Sequence, residues 1–86
     1  MEIVYSEEAL KDLKSFDKQL QKYFISHLEK LAEMPPRRHL RRGLPMYVET
    51  VTRQARFVYK EEGSALHVIR CFATHKEYER WYGLFR

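Results

Sequence analysis

The chain has 86 residues, 44% of them hydrophobic and 14% aromatic, with 16 Lys and Arg against 12 Asp and Glu and a formal charge of +4. That length supports one domain, residues 1–86, with a single modest core, and the apolar share excludes a disordered tail. The single cysteine, Cys71, excludes an internal disulfide, and no apolar run reaches the length of a membrane span.

The first residues, Met1-Glu2-Ile3-Val4-Tyr5, lack the basic and apolar regions of a signal peptide, so a cytoplasmic protein is expected. Glu2 to Tyr5 reads as a short strand. Ser6 then caps a helix whose first turn carries Glu7 and Glu8, complementing the helix dipole, with Ala9, Leu10 and Leu13 as its apolar side. Phe16, Leu20, Tyr23, Phe24, His27, Leu28 and Leu31 recur at three- and four-residue steps and predict a longer second helix, stopped by Pro35-Pro36. The two helices are expected to form an antiparallel hairpin with one shared apolar face.

Arg37, Arg38, Arg41 and Arg42 follow within six residues, around His39 and Leu40. Four guanidiniums so close repel one another unless they are solvated or neutralised by an anion. Nucleic-acid phosphate is the leading partner, and a solvated loop pairing with Glu7, Glu8 or Glu29 is the plainer alternative. Gly43-Leu44-Pro45 turns the chain into a β regime. Tyr47 to Val51, Ala55 to Lys60 and Ala65 to Ala73 read as strands, with turns at Thr52-Arg53-Gln54 and Glu61-Glu62-Gly63-Ser64. The expected fold is α+β and two-layered: a helical hairpin on an antiparallel sheet of about four strands, then a short C-terminal helix. Strand alternation turns Phe57 and Tyr59 toward the helices and leaves Arg56, Val58 and Lys60 on the open face.

Candidate chemistry gathers near the end of the chain. His75 lies just past the last strand, where the chain can fold back over the open face, and histidine exchanges protons near neutral pH. On a helix, His75, Tyr78 and Tyr82 share one side, with Trp81 covering the sheet edge. His75 also reads as an ordinary capping residue. Arg56 in an apolar strand needs a partner, and a phosphate and Glu49 on the neighbouring strand fit equally. Lys60 reads as a surface residue, and Cys71 as a small core residue. His27, His39, His67 and His75 have no metal-ligand spacing, so neither a metal nor a cofactor is expected. RNA cleavage suits this group. The ribose 2′-hydroxyl is the nucleophile, and the protein need only align it, move protons and stabilise the phosphate.

Three segments in this order resemble the RelE/ParE superfamily of toxins from toxin–antitoxin systems: Gly43-Leu44-Pro45 with Tyr47, Ala55-Arg56-Phe57-Val58-Tyr59, and His75-Lys76-Glu77-Tyr78-Glu79-Arg80-Trp81-Tyr82. The likeness covers the whole chain as architecture and its second half as motif. It implies a ribosome-dependent endoribonuclease that cuts mRNA and is restrained by a cognate antitoxin protein. Arg56 matches the strand arginine that stabilises the scissile phosphate, Tyr82 falls near the C-terminal catalytic tyrosine, and Lys76 sits near a basic residue of the same loop. The lysines that RelE-type members carry on the preceding strand are missing from Tyr47 to Val51. Glu49, Arg56 and His75 resemble instead the glutamate, arginine and histidine of YoeB-like members. The expected catalytic set is therefore Arg56, His75, Glu49, Tyr78 and Tyr82. Arg37, Arg38, Arg41, Arg42, Lys60 and Lys76 are the expected RNA contacts. Leu84 and Phe85 are candidates for an antitoxin interface. The competing expectation is a ParE-like inhibitor of DNA gyrase, a binding protein without chemistry of its own.

Overall fold

The computed structural model describes residues 1–34 and 46–85. In chain order it contains β1 (Glu2–Tyr5), α1 (Glu7–Ser15), α2 (Lys18–Glu33), β2 (Tyr47–Thr50), β3 (Arg56–Glu62), β4 (Ala65–Phe72) and α3 (His75–Tyr82), with a final 3₁₀ turn at Gly83–Phe85. Among these residues no helix is long and apolar enough to cross a membrane.

Local chemistry sets the element ends. Ser6 Oγ accepts the Ala9 N–H at 3.0 Å and donates to the Ile69 carbonyl at 2.8 Å, so the cap of α1 is also stitched to β4. Asp17 Oδ1 accepts the Leu20 N–H at 2.8 Å and starts α2. Gln21 Nε2 donates to the Leu13 and Phe16 carbonyls, closing the end of α1 across the hairpin. Gly63 adopts φ 58 in the two-residue turn that joins β3 to β4, a conformation that costs other residues about 1 kcal/mol or more.

The sheet order is β1-β4-β3-β2. β2, β3 and β4 form the expected antiparallel meander, but β1 runs parallel to β4, with Glu2 opposite Ala65 and Tyr5 opposite Val68. The sheet is therefore mixed, because the helical hairpin acts as a crossover between the two edges. Ala9, Leu13, Phe24, Leu28 and Leu31 pack on Phe57, Tyr59, Leu66 and Val68 to form the main core. Each large side chain buried there contributes about 1.5–3 kcal/mol. Leu10 and Tyr23, expected on the apolar faces, are exposed instead. Each sits one residue off its buried stripe (Ala9–Leu13 and Phe24–Leu28–Leu31), and the Tyr23 hydroxyl accepts from Gln19 Nε2 at 2.7 Å.

The second face of the sheet is covered by α3. Val58 and Phe72 meet Tyr78 and Tyr82 there, with Val48, Ile69 and Trp81 around them. A register shift between Val58 and Tyr59 puts Ile69 outside the pairing as a β-bulge on β4, so Val68 and Cys71 both face the main core while Ile69 and Phe72 face α3. The β3 alternation expected from sequence survives because the extra residue is on its neighbour.

Past the end of β1, the edge of β4 is held by α1. Asp12 accepts from Arg70 Nε at 2.8 Å, Arg70 Nη2 at 3.1 Å and the Cys71 backbone N–H at 2.9 Å. The carboxylate keeps the guanidinium charged to even higher pH than usual, and it satisfies a strand-edge donor.

Candidate active site

Arg56 is the first residue of β3 and lies on the α3 side of the sheet, opposite Thr50 of β2. Its Nη1 donates to Thr50 Oγ1 at 3.1 Å, its guanidinium lies 5.9 Å from the centroid of the Tyr78 ring, and its Nε is buried without a hydrogen-bond partner. The loop before it is knitted by Thr52, whose Oγ1 accepts the Gln54 N–H at 3.3 Å and the Ala55 N–H at 3.0 Å. This presents Arg53 and Gln54 toward α3.

Thr74 caps α3: its Oγ1 accepts the Glu77 N–H at 3.2 Å and donates to Glu77 Oε1 at 3.0 Å. His75 is therefore not the cap. Its backbone N–H donates to Gln54 Oε1 at 3.2 Å, which ties the β2–β3 loop to the start of the helix. Its Nε2 meets Glu79 Oε1 at 3.0 Å, one turn further on, while its Nδ1 is buried without a hydrogen-bond partner. A carboxylate at Nε2 requires a proton there, so Nδ1 carries the lone pair of the neutral ring.

Arg53, Gln54, Arg56, His75, Lys76 and Glu79 line one open cleft of ≈ 630 Å³. Among the described residues Arg53, Arg56 and Lys76 form no ion pair with a carboxylate. Three cations around one carboxylate give the cleft a positive field suited to an anion. A second cleft of ≈ 400 Å³, bounded by Asp12, Phe16, Arg70, Trp81 and Leu84, holds less chemistry because its Asp12 and Arg70 already neutralise each other. No three His, Cys, Asp or Glu side chains among the described residues are grouped as metal ligands.

Of the residues expected at the site, the fold brings Arg56, His75 and Lys76 together. Tyr78 and Tyr82 are 1% and 3% exposed, with rings stacked at 5.8 Å, and form the wall behind the cleft rather than its open rim. The aromatic side of α3 is spent on covering the sheet. Glu49 is elsewhere. Register pairs it with Phe57, so it faces α2, where its Oε2 lies 3.2 Å from His27 Nε2. It therefore lies on the opposite face of the sheet from Arg56. Lys60 is four residues along β3 from Arg56, about 13 Å away on strand geometry, and pairs with Glu62 at 2.6 Å. Arg37, Arg38, Arg41 and Arg42 lie outside the described residues. Leu84 is 78% exposed, and the side chain of Phe85 is outside the described part.

Arg53, Gln54 and Glu79 were not anticipated. Glu79 had a legible signal, the i,i+4 spacing from His75. Gln54 had none, since its contact is with a backbone group 21 residues away.

No family model and no curated protein matches the sequence. Solved structures do match. Isolated E. coli RelE superposes with a TM-score of 0.70 at 19% identity, covering 96% of this chain and 97% of that one. A chain of the intact E. coli RelBE toxin–antitoxin complex gives 0.68 at 24% identity, over 81% and 92%. A YoeB/ParE toxin from Agrobacterium tumefaciens gives 0.67 at 21% identity, over 83% and 95%. The fold is that of the RelE and YoeB toxins. The order of elements, the mixed sheet and the terminal helix over its second face are thus a shared RelE-like framework.

Proposed function

We propose that this chain is the toxin of a toxin–antitoxin pair and an endoribonuclease acting on mRNA at the ribosome, with an antitoxin protein as its restraining partner. The observation that supports this most is the meeting of Arg56, His75 and Lys76 in one cleft, in a fold shared with RelE and YoeB. RNA supplies its own nucleophile. The 2′-oxygen bonds to the adjacent phosphorus and the P–O5′ bond breaks, leaving a 2′,3′-cyclic phosphate and a 5′-hydroxyl. Neutral His75 takes the 2′-hydroxyl proton, a role worth about 10²–10⁴-fold. Arg56, held by Thr50 and the face of Tyr78, meets the non-bridging oxygens as their charge grows, with Arg53 beside it. The Lys76 ammonium protonates the departing 5′-oxygen. Tyr78 and Tyr82 orient the site from behind, by supporting Arg56 and the start of α3.

The test is cleavage mapping on ribosome-bound mRNA with wild type, His75→Ala and Arg56→Ala. Each substitution is expected to lower cleavage by about 10²-fold or more and to relieve growth arrest. Intact, translating mRNA beside full toxicity would sink the proposal. Double-strand breaks with an SOS response would then assign the chain to ParE-like gyrase inhibition.

A further inference from the structure

His75 offers a substrate no free ring nitrogen in the arrangement described. Nε2 is engaged by Glu79 at 3.0 Å, and Nδ1 is buried away from solvent with no hydrogen-bond partner. A histidine that moves a proton at a substrate must reach it with one nitrogen. With Nδ1 enclosed, that nitrogen is Nε2, so Glu79 has to leave first. Once the carboxylate no longer holds a proton on Nε2, the neutral ring can take its Nδ1–H tautomer, whose Nε2 carries the lone pair that accepts the proton. Glu79 is also the one carboxylate among the residues lining the cleft, against Arg53, Arg56 and Lys76. Both partners of the contact are substantially exposed, at 45% and 39%, so the pair is weak and separates by side-chain rotation on α3.

We propose that Glu79 is a displaceable gate: its carboxylate occupies the working nitrogen of His75 in the free protein, and an incoming phosphodiester chain takes its place. The phosphates are drawn by the three cations and repel Glu79, so binding of the polyanion itself exposes Nε2. Empty of substrate, the histidine stays engaged. The gate's part in catalysis rests on the nuclease reading above, whereas its release by a polyanion does not. The opposed role, a carboxylate that holds the histidine throughout the reaction, predicts the reverse effect on substitution.

Binding is measured by fluorescence anisotropy at low salt with two probes, a 2′-O-methyl RNA dodecamer that lacks the nucleophile and a DNA dodecamer of the same sequence. Glu79→Gln is expected to bind both about fivefold more tightly than wild type, the size of one screened unit charge at close range. Glu79→Ala should shift in the same direction. Glu33→Gln, the same charge change on the exposed end of α2, controls for net charge and should shift affinity less than about twofold. With cleavable RNA the benefit falls in KM. A loss of kcat at unchanged KM in Glu79→Gln assigns the carboxylate to holding the histidine and overturns the gate. Equal dissociation constants alongside wild-type cleavage overturn the gate and leave the nuclease reading standing. Tighter binding of both probes with no cleavage by any variant does the opposite. Absence of binding by wild type and variants alike also overturns the gate.

Discussion

Replacing Asp12 by alanine tests how the helical hairpin is fastened to the sheet. The carboxylate makes three hydrogen bonds, two to the Arg70 guanidinium and one to the Cys71 N–H. The side chains of the ion pair are 31% and 17% exposed, so solvent screens part of it and the pair contributes about 1 kcal/mol. The strand-edge N–H left without an acceptor adds about 1 kcal/mol more. Asp12→Ala should therefore cost about 2 kcal/mol, which at a urea slope of about 1 kcal/mol per M lowers the unfolding midpoint by about 2 M. Arg70→Ala and the double variant complete a cycle, monitored by circular dichroism in urea. Half of the Asp12 loss should vanish when Arg70 is already absent, a coupling of about 1 kcal/mol. A loss below about 0.5 kcal/mol for Asp12→Ala, or a cycle with no coupling, refutes the claim that this carboxylate locks the edge of β4.

Three further outcomes follow from burial and register. Burial pushes the Cys71 thiol from its ordinary 9.0 up to about 12, with the Asp12 charge adding to the effect, so native protein should resist thiol reagents until it unfolds. In that window the unfolded chain holds fewer protons on Cys71 than the folded one, so stability falls as pH rises from about 9 to 12; Cys71→Ala should remove that part of the loss, at most about 4 kcal/mol. Equal alkaline slopes for the two proteins would contradict it. Glu49→Gln should leave RNA cleavage unchanged, because the side chain faces α2 and His27, and a folded variant with abolished cleavage would place Glu49 back in the site.

Much of the framework was readable from periodicity. The Ser6 cap and the turns around Arg53 and Gly63 stand close to where their residue types put them, whereas Phe16, counted in the stripe of the second helix, instead ends α1 as its C-cap. Three things were hidden because they depend on pairing rather than on pattern. The direction of β1 is set by which strand it meets, and nothing in Glu2 to Tyr5 distinguishes parallel from antiparallel. Glu49 changes meaning with register. Opposite Phe57 it belongs to the hairpin side, whereas a one-residue slip would have put it beside Arg56. The burial of Tyr78 and Tyr82 follows from the demand of Val58 and Phe72 for cover, which becomes visible only when the sheet's second face is assembled. Arg56, His75 and Lys76 were legible because parity and proximity to the strand ends placed them on one side. The contacts that hold His75, from Gln54 and Glu79, required the fold or a closer reading of helical spacing.

The pairing of β1 with β4 has a consequence for the order in which the molecule comes into being. Ser6 meets Ile69 across a separation of 63 residues, and such distant contacts form late and slowly. During synthesis the hairpin emerges first, but its apolar face has no sheet to rest on until β4 has been made. The cleft comes later still, since every residue lining it lies between Arg53 and Glu79. Under the proposed function, a partly made chain has no complete cleft, and activity begins only when α3 has folded onto the sheet.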